Sequence, residues 1–148
     1  MQYEITAMKL CHTPQVAKLE TLCFADPWSE AIFENELHNE YARWLVAVSG
    51  ETVVGYIGSQ LVPPEADMMN LAVKAEFRGQ GVGSALCRAL LQRLREERIT
   101  SLCLEVRDSN LAAIALYEKL GFVQVGLRKN YYFHPKEDAR ILKKEWDL

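Results

Sequence analysis

Residues 70–83 decide the fold and read Asn70-Leu-Ala-Val-Lys-Ala-Glu-Phe-Arg-Gly-Gln-Gly-Val-Gly83. The first four residues end a strand pattern over residues 66–73, and residues 78–83 form a glycine-rich turn. Beyond the turn, apolar residues recur at every fourth position, as Val82, Leu86, Leu90 and Leu94. This spacing predicts an amphipathic helix, so the chain is expected to pass from a strand through the turn directly into a helix.

A strand, a glycine-rich turn and a helix amino terminus together form an arrangement that binds anions. Glycines let the backbone approach a phosphate, and the unpaired N–H groups and positive dipole end of the helix face it. The turn is not a P-loop, because no Gly-Lys-Ser/Thr follows. It is not a Rossmann fingerprint either, because its glycines are Gly79, Gly81 and Gly83. From the turn alone, phosphate binding and a tight turn with a flexible cap are equally good interpretations.

Strand and helix patterns alternate in the middle of the chain, and hairpins are expected at both ends. Strands are predicted at residues 3–7, 44–48, 52–61, 66–73, 101–106, 122–127 and 139–146. Helices are predicted after Thr13, after Ser29, after the glycine-rich turn and over residues 110–120. The predicted fold class is α/β, a mixed central sheet of about six to seven strands with about four helices on its faces. The helix after the turn joins two strands and is expected to form a right-handed crossover.

The first two helices each carry an apolar stripe that is expected to face the core. In the first helix, the stripe comprises Val16, Leu19, Leu22 and Cys23. In the second helix, it comprises Ile32, Phe33 and Leu37. Ser29 precedes the second stripe and is the expected N-cap.

Length and composition indicate one globular domain over residues 1–148. The chain has 148 residues, of which 49% are hydrophobic and 25% are charged, and domains commonly contain about 100–150 residues. This composition excludes disordered and collagen-like chains. The cysteines form no C-x-x-C pair and the histidines have no partner at metal-ligand spacing, so no metal site is predicted.

Charge and hydropathy exclude two further classes of protein. The chain has 17 Lys and Arg residues against 20 Asp and Glu residues, a formal net charge of −3. Nucleic-acid-binding proteins normally have a basic excess on one face, so no nucleic-acid partner is predicted. The sequence has no signal-peptide pattern and no apolar run approaching about 20 residues. No membrane association is therefore predicted, and the expected location is cytoplasmic.

A carboxylate interrupts the apolar strand pattern at residues 101–106. Leu102, Leu104 and Val106 alternate onto one face, so Glu105 points to the other face. An unpaired carboxylate is costly in apolar surroundings. If this strand is at a sheet edge, Glu105 is a solvated surface residue. If the strand is central, a functional role is the better interpretation.

Asn110 and Tyr117 lie on the helix pattern that follows, seven residues and so about two turns apart on one side. Asn110 is expected to cap that helix. Tyr117 is either a core aromatic with its hydroxyl at the rim or a functional residue. The polar turn over residues 107–110 follows a buried strand, where α/β proteins place their sites.

Five segments taken together resemble the GNAT acetyltransferase superfamily. In chain order they are residues 70–73, 78–83 and 104–107, then Asn110 and residues 112–122. Three more segments make the chain similar to the bacterial ribosomal-protein alanine N-acetyltransferases of the RimI type: residues 24–29, 128–132 and 137–139. The resemblance covers essentially the whole chain. The glycine-rich turn alone is specific only for acyl-CoA binding. Combined with the other segments, it specifies a much narrower group of proteins within the superfamily.

The resemblance implies a binding site for acetyl-CoA as co-substrate, and no metal. Leu71, Ala72 and Val73 would hold the acetyl and pantetheine part along the strand edge, and Asn110 would contact the pantetheine arm. The turn would wrap the pyrophosphate with Arg78, Gly79, Gln80, Gly81, Val82, Gly83 and Ser84.

The resemblance also implies the reaction, in which the α-amine at a protein N-terminus attacks the acetyl group directly. Glu105 matches the general base of the family. Tyr117 matches its general acid and would also contact the cofactor. The implied acceptor is the N-terminal alanine of a small-subunit ribosomal protein. Trp28, Tyr131 and Tyr132 are candidates for binding this peptide, and packing against the core explains these aromatic residues equally well.

Two alternatives stay open. The same fold also acetylates lysine side chains or small-molecule amines, and residues 133–136 depart from the family pattern where a change would alter the acceptor. A protein of another class would bind acyl-CoA without catalysis and act as a sensor. The presence of Glu105 and Tyr117 argues against a sensor, because binding requires neither proton-transfer group.

Overall fold

Over residues 2–148, which the computed structural model describes, the chain forms seven strands and four α-helices. The strands are β1 (Glu4–Ala7), β2 (Ala42–Ser49), β3 (Thr52–Val62), β4 (Glu65–Val73), β5 (Ser101–Arg107), β6 (Val123–Phe133) and β7 (Lys136–Glu145). The helices are α1 (Thr13–Cys23), α2 (Glu30–Glu36), α3 (Val82–Glu96) and α4 (Leu111–Lys119). The predicted α/β class, with a mixed sheet flanked by helices, is confirmed.

The helix ends follow local sequence chemistry. The Ser29 hydroxyl accepts a hydrogen bond from the backbone N–H of Ile32 at the start of α2, as predicted. The Asn110 side chain does the same for α4 through the N–H of Ala113. Gly121 follows α4 with φ +95°, a left-handed conformation that favours glycine. Within residues 2–148, no helix combines the length and apolarity needed to cross a membrane.

The strands lie side by side in the order β1-β2-β3-β4-β5-β7-β6. β4 and β5 are parallel, and the other neighbouring strands are antiparallel. Parallel neighbours need a long crossover, which α3 supplies. β5 lies between β4 and β7, so Glu105 is on an interior strand. This is the arrangement for which the sequence favours a functional carboxylate.

Apolar side chains cover both faces of the sheet. One layer contains the predicted stripe of α3, in which the four apolar residues are at most 1% exposed: Val82, Leu86, Leu90 and Leu94. The other layer joins α1 and α2 to the sheet through an aromatic group of Phe33, Trp44 and Tyr56. The sheet is therefore held from both sides, and its central strands are rigid supports for a site.

β4 and β5 diverge, and the gap between them positions the site. Within the described residues, they pair from Glu65 to Asp67 on β4 and not beyond. Just after this point, the register between β4 and β3 shifts, leaving Met69 without a partner on β3. A bulge of this kind bends a strand. The carboxyl end of β4 thus separates from β5, and ligands of α/β sheets bind where carboxyl ends of strands open.

Two side chains of the predicted stripes face solvent instead of the core. Leu22 is 73% exposed and Ile32 is 42% exposed, so those predictions are wrong, whereas Glu20 is 1% exposed. Glu20 follows Val16 by four residues, about 40° around the helix, and Leu22 follows it by six, about 120°. In α2, Phe33 occupies the buried position and its neighbour Ile32 turns outward. Burial at these positions therefore follows the direction in which the helix points each side chain and not the apolar character of the residue.

The last two strands are longer than predicted. The sequence placed them at residues 122–127 and 139–146, but they extend towards each other as far as Phe133 and Lys136. The register shifts between Arg128 and Tyr132, which marks a bulge. At that bulge Asn130 has φ +53°, and its N–H donates to the Asp138 carboxylate at 2.8 Å. The polar residues of the bulge have a sequence pattern typical of a loop, but β6 pairs with β7 again beyond them.

Candidate active site

The carboxyl end of β4 presents backbone groups to the gap beside β5. The N–H of Lys74 donates to a β3 carbonyl at 2.7 Å, and hydrogen-bonded residues alternate along an antiparallel ladder. Ala72 therefore bonds to β3, whereas the backbone groups of Leu71 and Val73 face the gap. The Val73 carbonyl accepts a hydrogen bond from Arg78 Nε at 3.0 Å. The N–H groups of Leu71 and Val73 remain available to a ligand.

The glycine-rich turn leads into the start of α3. Gly79 and Gly81 have φ +75° and +82°, conformations that favour glycine because a Cβ would clash with the backbone. Gly81 is the N-cap of α3, and the first bond of the helix runs from the Ala85 N–H to the Gly81 carbonyl. Three N–H groups before Ala85 have no acceptor within the helix: those of Val82, Gly83 and Ser84. With the helix dipole, these N–H groups make the start of α3 suitable for binding an anion.

A cavity of about 780 Å³, the turn cleft, extends along this turn and the end of β4. Its volume is typical of small-molecule sites. It is lined by ten of the residues predicted to bind the cofactor: Leu71, Ala72, Val73, Arg78, Gly79, Gly81, Val82, Gly83, Ser84 and Asn110. Gln80 does not line it, since its side-chain amide donates to the Glu76 carbonyl at 3.3 Å. Tyr117 does not line it either and lies deeper in the gap.

A second cavity, the central chamber, adjoins the turn cleft. The two share walls at Cys23, Phe24, Leu71, Asn110, Ala113 and Leu116. The chamber also brings together residues that are distant in sequence: Glu20, Trp28, Asn70, Glu105, Tyr117 and Tyr132. The predicted base, the predicted acid and two of the three predicted peptide-binding residues thus line one space.

A third cavity, the outer groove, continues from the chamber. Its walls shared with the chamber are Met68, Met69, Leu104, Glu105 and Tyr132. Further out it is lined by Asp67, Arg128 and Tyr131. The three cavities form a continuous path, and Glu105 stands at the junction of chamber and groove.

Glu105 lies among charged and phenolic groups. Its Oε1 is 3.8 Å from Arg128 Nε, whereas its buried Oε2 has no hydrogen-bond partner in the described part of the chain. Interaction with the Glu105 carboxylate raises the pKa of Tyr131, and burial followed by the charge of Glu105 raises the pKa of Tyr132 to about 12. Burial and then the charge of Glu105 also raise the pKa of Asp67. Glu105 thus has an unpaired oxygen, and its side chain lines both the chamber and the groove.

Tyr117 has a buried ring and a weakly engaged hydroxyl. The side chain is 6% exposed and packs edge-on against Phe122, with ring centroids 5.6 Å apart. Its hydroxyl contacts Met68 Sδ at 3.6 Å, and a thioether is a weak acceptor. Burial raises the pKa of Tyr117, so the hydroxyl keeps its proton at neutral pH. The group can donate to a stronger acceptor that enters the chamber.

The aromatic residues predicted to bind a peptide serve two purposes. Trp28 packs 5.6 Å from the ring of Phe33 and 5.7 Å from that of Trp44, and it also lines the chamber. Tyr131 and Tyr132 make a T-shaped pair with centroids 5.0 Å apart and line the outer groove. The core-packing and cavity-lining interpretations therefore both apply to Trp28, and the two tyrosines are cavity-lining residues.

Three residues of the site escaped the sequence analysis: Glu20, Asn70 and Arg128. Glu20 follows Val16 by one helical turn, and this spacing was the signal for a buried position. Asn70 was quoted as part of a family segment without a role of its own. Arg128 was likewise quoted only within a family segment, and no local pattern predicts its position near Glu105, because that position results from the bulge in β6.

Comparisons with known proteins agree with this geometry. Residues 13–122 match the acetyltransferase (GNAT) family. The ribosomal protein bS18-alanine N-acetyltransferase of Escherichia coli K12 is 36% identical over 136 residues, covering 92% of this chain and 90% of that protein. The N-alpha-acetyltransferase RimI of Mycobacterium tuberculosis is 37% identical over 147 residues, covering 95% and 91%.

The fold comparison extends over nearly the full chain. The crystal structure of the ribosomal-protein-S18-alanine N-acetyltransferase from Escherichia coli has a TM-score of 0.90 and 33% identity, and the match covers 99% of this chain and 96% of that one. The family match, the sequence relatives and this structure all indicate an N-acetyltransferase. The chain belongs to the GNAT acetyltransferase family.

Proposed function

We propose that this protein transfers the acetyl group of acetyl-CoA to the N-terminal α-amine of another protein. The proposed acceptor is the N-terminal alanine of a small-subunit ribosomal protein. The observation that carries the proposal is the continuous path from the turn cleft to the outer groove, with Glu105 at its last junction. The relatives at 36% and 37% identity, whose names specify ribosomal-protein alanine and α-amine acetylation, support the acceptor class.

The turn cleft fits acetyl-CoA in chemistry as well as in size. The free N–H groups at the start of α3 suit pyrophosphate oxygens, and Arg78 adds positive charge to the turn. The N–H groups of Leu71 and Val73 would bond to pantetheine and thioester oxygens, and such fixed dipoles polarise a carbonyl. The amide nitrogen of Asn110 is free for pantetheine, since its oxygen caps α4. When bound, acetyl-CoA supplies the activated acetyl group.

An α-amine is the acceptor that this site can deprotonate most readily. The reference pKa is about 7.7–8.0 for an α-amine and about 10.4 for lysine. Forming the neutral amine at pH 7 therefore costs about 1–1.4 kcal/mol for the first and about 4.6 kcal/mol for the second. The carboxylate of Glu105, which lines both the chamber and the groove, is the proposed proton acceptor, acting directly or through water. The small cost favours an N-terminus over a lysine side chain.

Tyr117 is the proposed general acid. It is buried, protonated at neutral pH and bonded only weakly to Met68 in the described structure. In the proposed reaction, the amine nitrogen bonds to the acetyl carbon as the carbon–sulfur bond breaks. Glu105, having passed the first proton of the ammonium to solvent before attack, takes the second proton from the nitrogen, and Tyr117 gives its proton to the departing sulfur. Exchange with solvent then restores both side chains.

The outer groove suits an extended peptide with positive charge near its N-terminus. Asp67 and Glu105 both line it, and Arg128 is the cation beside them. Tyr131 in the groove and Trp28 in the adjoining chamber combine apolar area with polar tips, as in many peptide-binding sites. Ribosomal proteins are basic, so an acidic groove favours their approach.

The proposal covers the chain as a whole. The path takes walls from the end of α1 through to β7, where Ile141 lines the outer groove. Residues 1–148 are accordingly proposed to act as one catalytic domain. Because acetyl-CoA and ribosomal proteins meet in the cytoplasm, that compartment is the proposed location.

The test is acetyl transfer to a short peptide that begins with Ala-Arg. The matched control is the same peptide with a blocked N-terminus and an internal lysine. We expect acetylation of the free N-terminus only, measured by mass spectrometry and by thiol release. Transfer to the blocked peptide would reassign the enzyme to lysine acetylation. Binding of acetyl-CoA without transfer to either peptide would reassign it to small-molecule acceptors or to a sensor.

A further inference from the structure

Glu20 is a buried carboxylate that the proposed reaction does not use. It is 1% exposed, in the middle of the layer between α1 and the sheet. It accepts hydrogen bonds from the Tyr56 hydroxyl, from Asn70 Nδ2 at 2.9 and 3.1 Å, and from the Trp28 backbone N–H at 2.9 Å. It thus ties together β3, the bulged part of β4 and the segment between α1 and α2.

A carboxylate at this position is an expensive way to hold the core together. Burying one costs several kcal/mol unless donors or cations compensate for the lost water. Across residues 2–148, the donors to Glu20 are neutral groups, and no ion pair involves it. An apolar side chain would pack there at lower cost. The carboxylate is therefore explained better by the groups it orients than by packing.

The orientation of Asn70 follows from the properties of a carboxylate. An ionised carboxylate accepts hydrogen bonds and donates none, so the amide of Asn70 must turn its NH2 group towards Glu20. Its carbonyl oxygen then faces away from Glu20. Within residues 2–148 this oxygen has no hydrogen-bond partner, and Asn70 lines the central chamber together with Glu105 and Tyr117.

We propose that Glu20 is a positioning residue that holds the carbonyl oxygen of Asn70 towards the central chamber, where this oxygen accepts a hydrogen bond from the α-amine of the acceptor. The inference rests on the proposed N-terminal acetyltransferase function. Asn70 Oδ1 and the Glu105 carboxylate would then bind two hydrogens of the amine from two sides. Fixing two hydrogens also fixes the direction of the nitrogen lone pair, which is the requirement for attack.

Trp28 connects the same carboxylate to the acceptor wall. Its backbone N–H bonds to Glu20 while its ring lines the chamber. One buried group therefore sets both the amine-binding oxygen and the aromatic wall beside it. This explains a carboxyl group at a position that packing alone would fill with an apolar side chain.

The test compares Glu20→Gln and Asn70→Ala with the wild type, using the Ala-Arg peptide. A glutamine can donate as well as accept, so it no longer forces the Asn70 amide into one orientation. For each variant we expect kcat/KM for the peptide to fall about ten- to hundredfold, with KM for acetyl-CoA unchanged. In the Asn70→Ala background, Glu20→Gln should have little further effect, because both changes remove the same interaction.

Tyr56→Phe is the matched control for stability. It removes a hydrogen bond to Glu20 and leaves the contact with Asn70 in place. We expect a lower melting temperature and nearly normal peptide kinetics. Independent, additive effects of Glu20→Gln and Asn70→Ala, or wild-type peptide kinetics in either variant, would overturn the inference. A wild-type enzyme that acetylates no peptide N-terminus would instead overturn the proposed function itself.

Discussion

The turn cleft and the outer part of the site are built in different ways. The cleft is mostly a continuous run of chain, from Leu71 to Ser84, and it offers backbone N–H groups. The chamber and groove are assembled mainly from side chains of α1, β4, β5, α4 and β6. A backbone site depends on conformation, whereas a side-chain site depends on charge and hydrogen-bond orientation. Substitutions in the cleft should therefore change acetyl-CoA binding, and substitutions in the chamber and groove should change turnover.

The largest expected effect is that of Glu105→Gln on turnover. Removing the general base should lower kcat by about 10²–10⁴-fold and flatten the rise of rate with pH. Calorimetry should give an acetyl-CoA affinity close to that of the wild type, since Glu105 lies outside the turn cleft. Glu118→Gln, at an exposed position on α4, is the matched control. An unchanged kcat would remove Glu105 from its proposed role.

Tyr117→Phe should have the next largest effect, about ten- to hundredfold on the acetyl-transfer step. The substitution retains the packing of the ring and removes only the contact between the hydroxyl and Met68. The melting temperature should hardly change. Single-turnover kinetics isolate the step, and Tyr41→Phe, at an exposed position, is the control. A normal single-turnover rate is the result that would falsify the general-acid assignment.

Gly81→Ala tests the backbone side of the comparison. At φ +82° an alanine is strained although nothing lies within 4 Å of its Cβ. We expect KM for acetyl-CoA to rise about tenfold, because the N–H groups at the helix start shift, and kcat at saturation to stay the same. Gly50→Ala is matched for strain, with φ +62° and open space, and lies in the β2–β3 turn. Equal effects on KM in both variants would contradict this role of the turn.

The smallest expected effect is that of Asp67→Asn, seen in stability. Burial and neighbouring carboxylates raise the pKa of Asp67 in the folded state. The folded protein therefore holds this proton more tightly than the unfolded chain does, and ionised Asp67 destabilises it at neutral pH. Asp67→Asn should raise the melting temperature slightly at pH 7. The gain should disappear as the pH falls to the ordinary value for Asp, about 3.9. A gain that is constant with pH would exclude this cause.

The same difference between regions explains what the sequence analysis found. The strand, the turn and the α3 stripe are local patterns, and the structure contains all three where they were predicted. The errors were at Leu22 and Ile32, where apolar character suggested burial that helix geometry does not allow. The ends of β6 and β7 were missed because a bulge absorbs polar residues that resemble a loop.

The chamber shows the limit of reasoning from local pattern. Glu20 meets Tyr56 across 36 positions and Asn70 across 50. No spacing along the chain encodes such contacts, because they depend on how α1 packs over the sheet. The contact between Arg128 and Glu105 likewise depends on tertiary structure, because the β6 bulge and the pairing of β7 with β5 bring the two side chains together.

The sequence by itself determined the order of strands and helices along the chain, the glycine-rich turn at the start of α3 and the strand that carries Glu105. These features depend on interactions between residues that are close together in the chain. Only the tertiary structure decided that β4 and β5 diverge, that Glu105 and Tyr117 line one chamber and that Glu20 accepts a hydrogen bond from Asn70. The physical reason is that a buried hydrogen bond depends on position in space, which packing of the whole sheet and its helices sets.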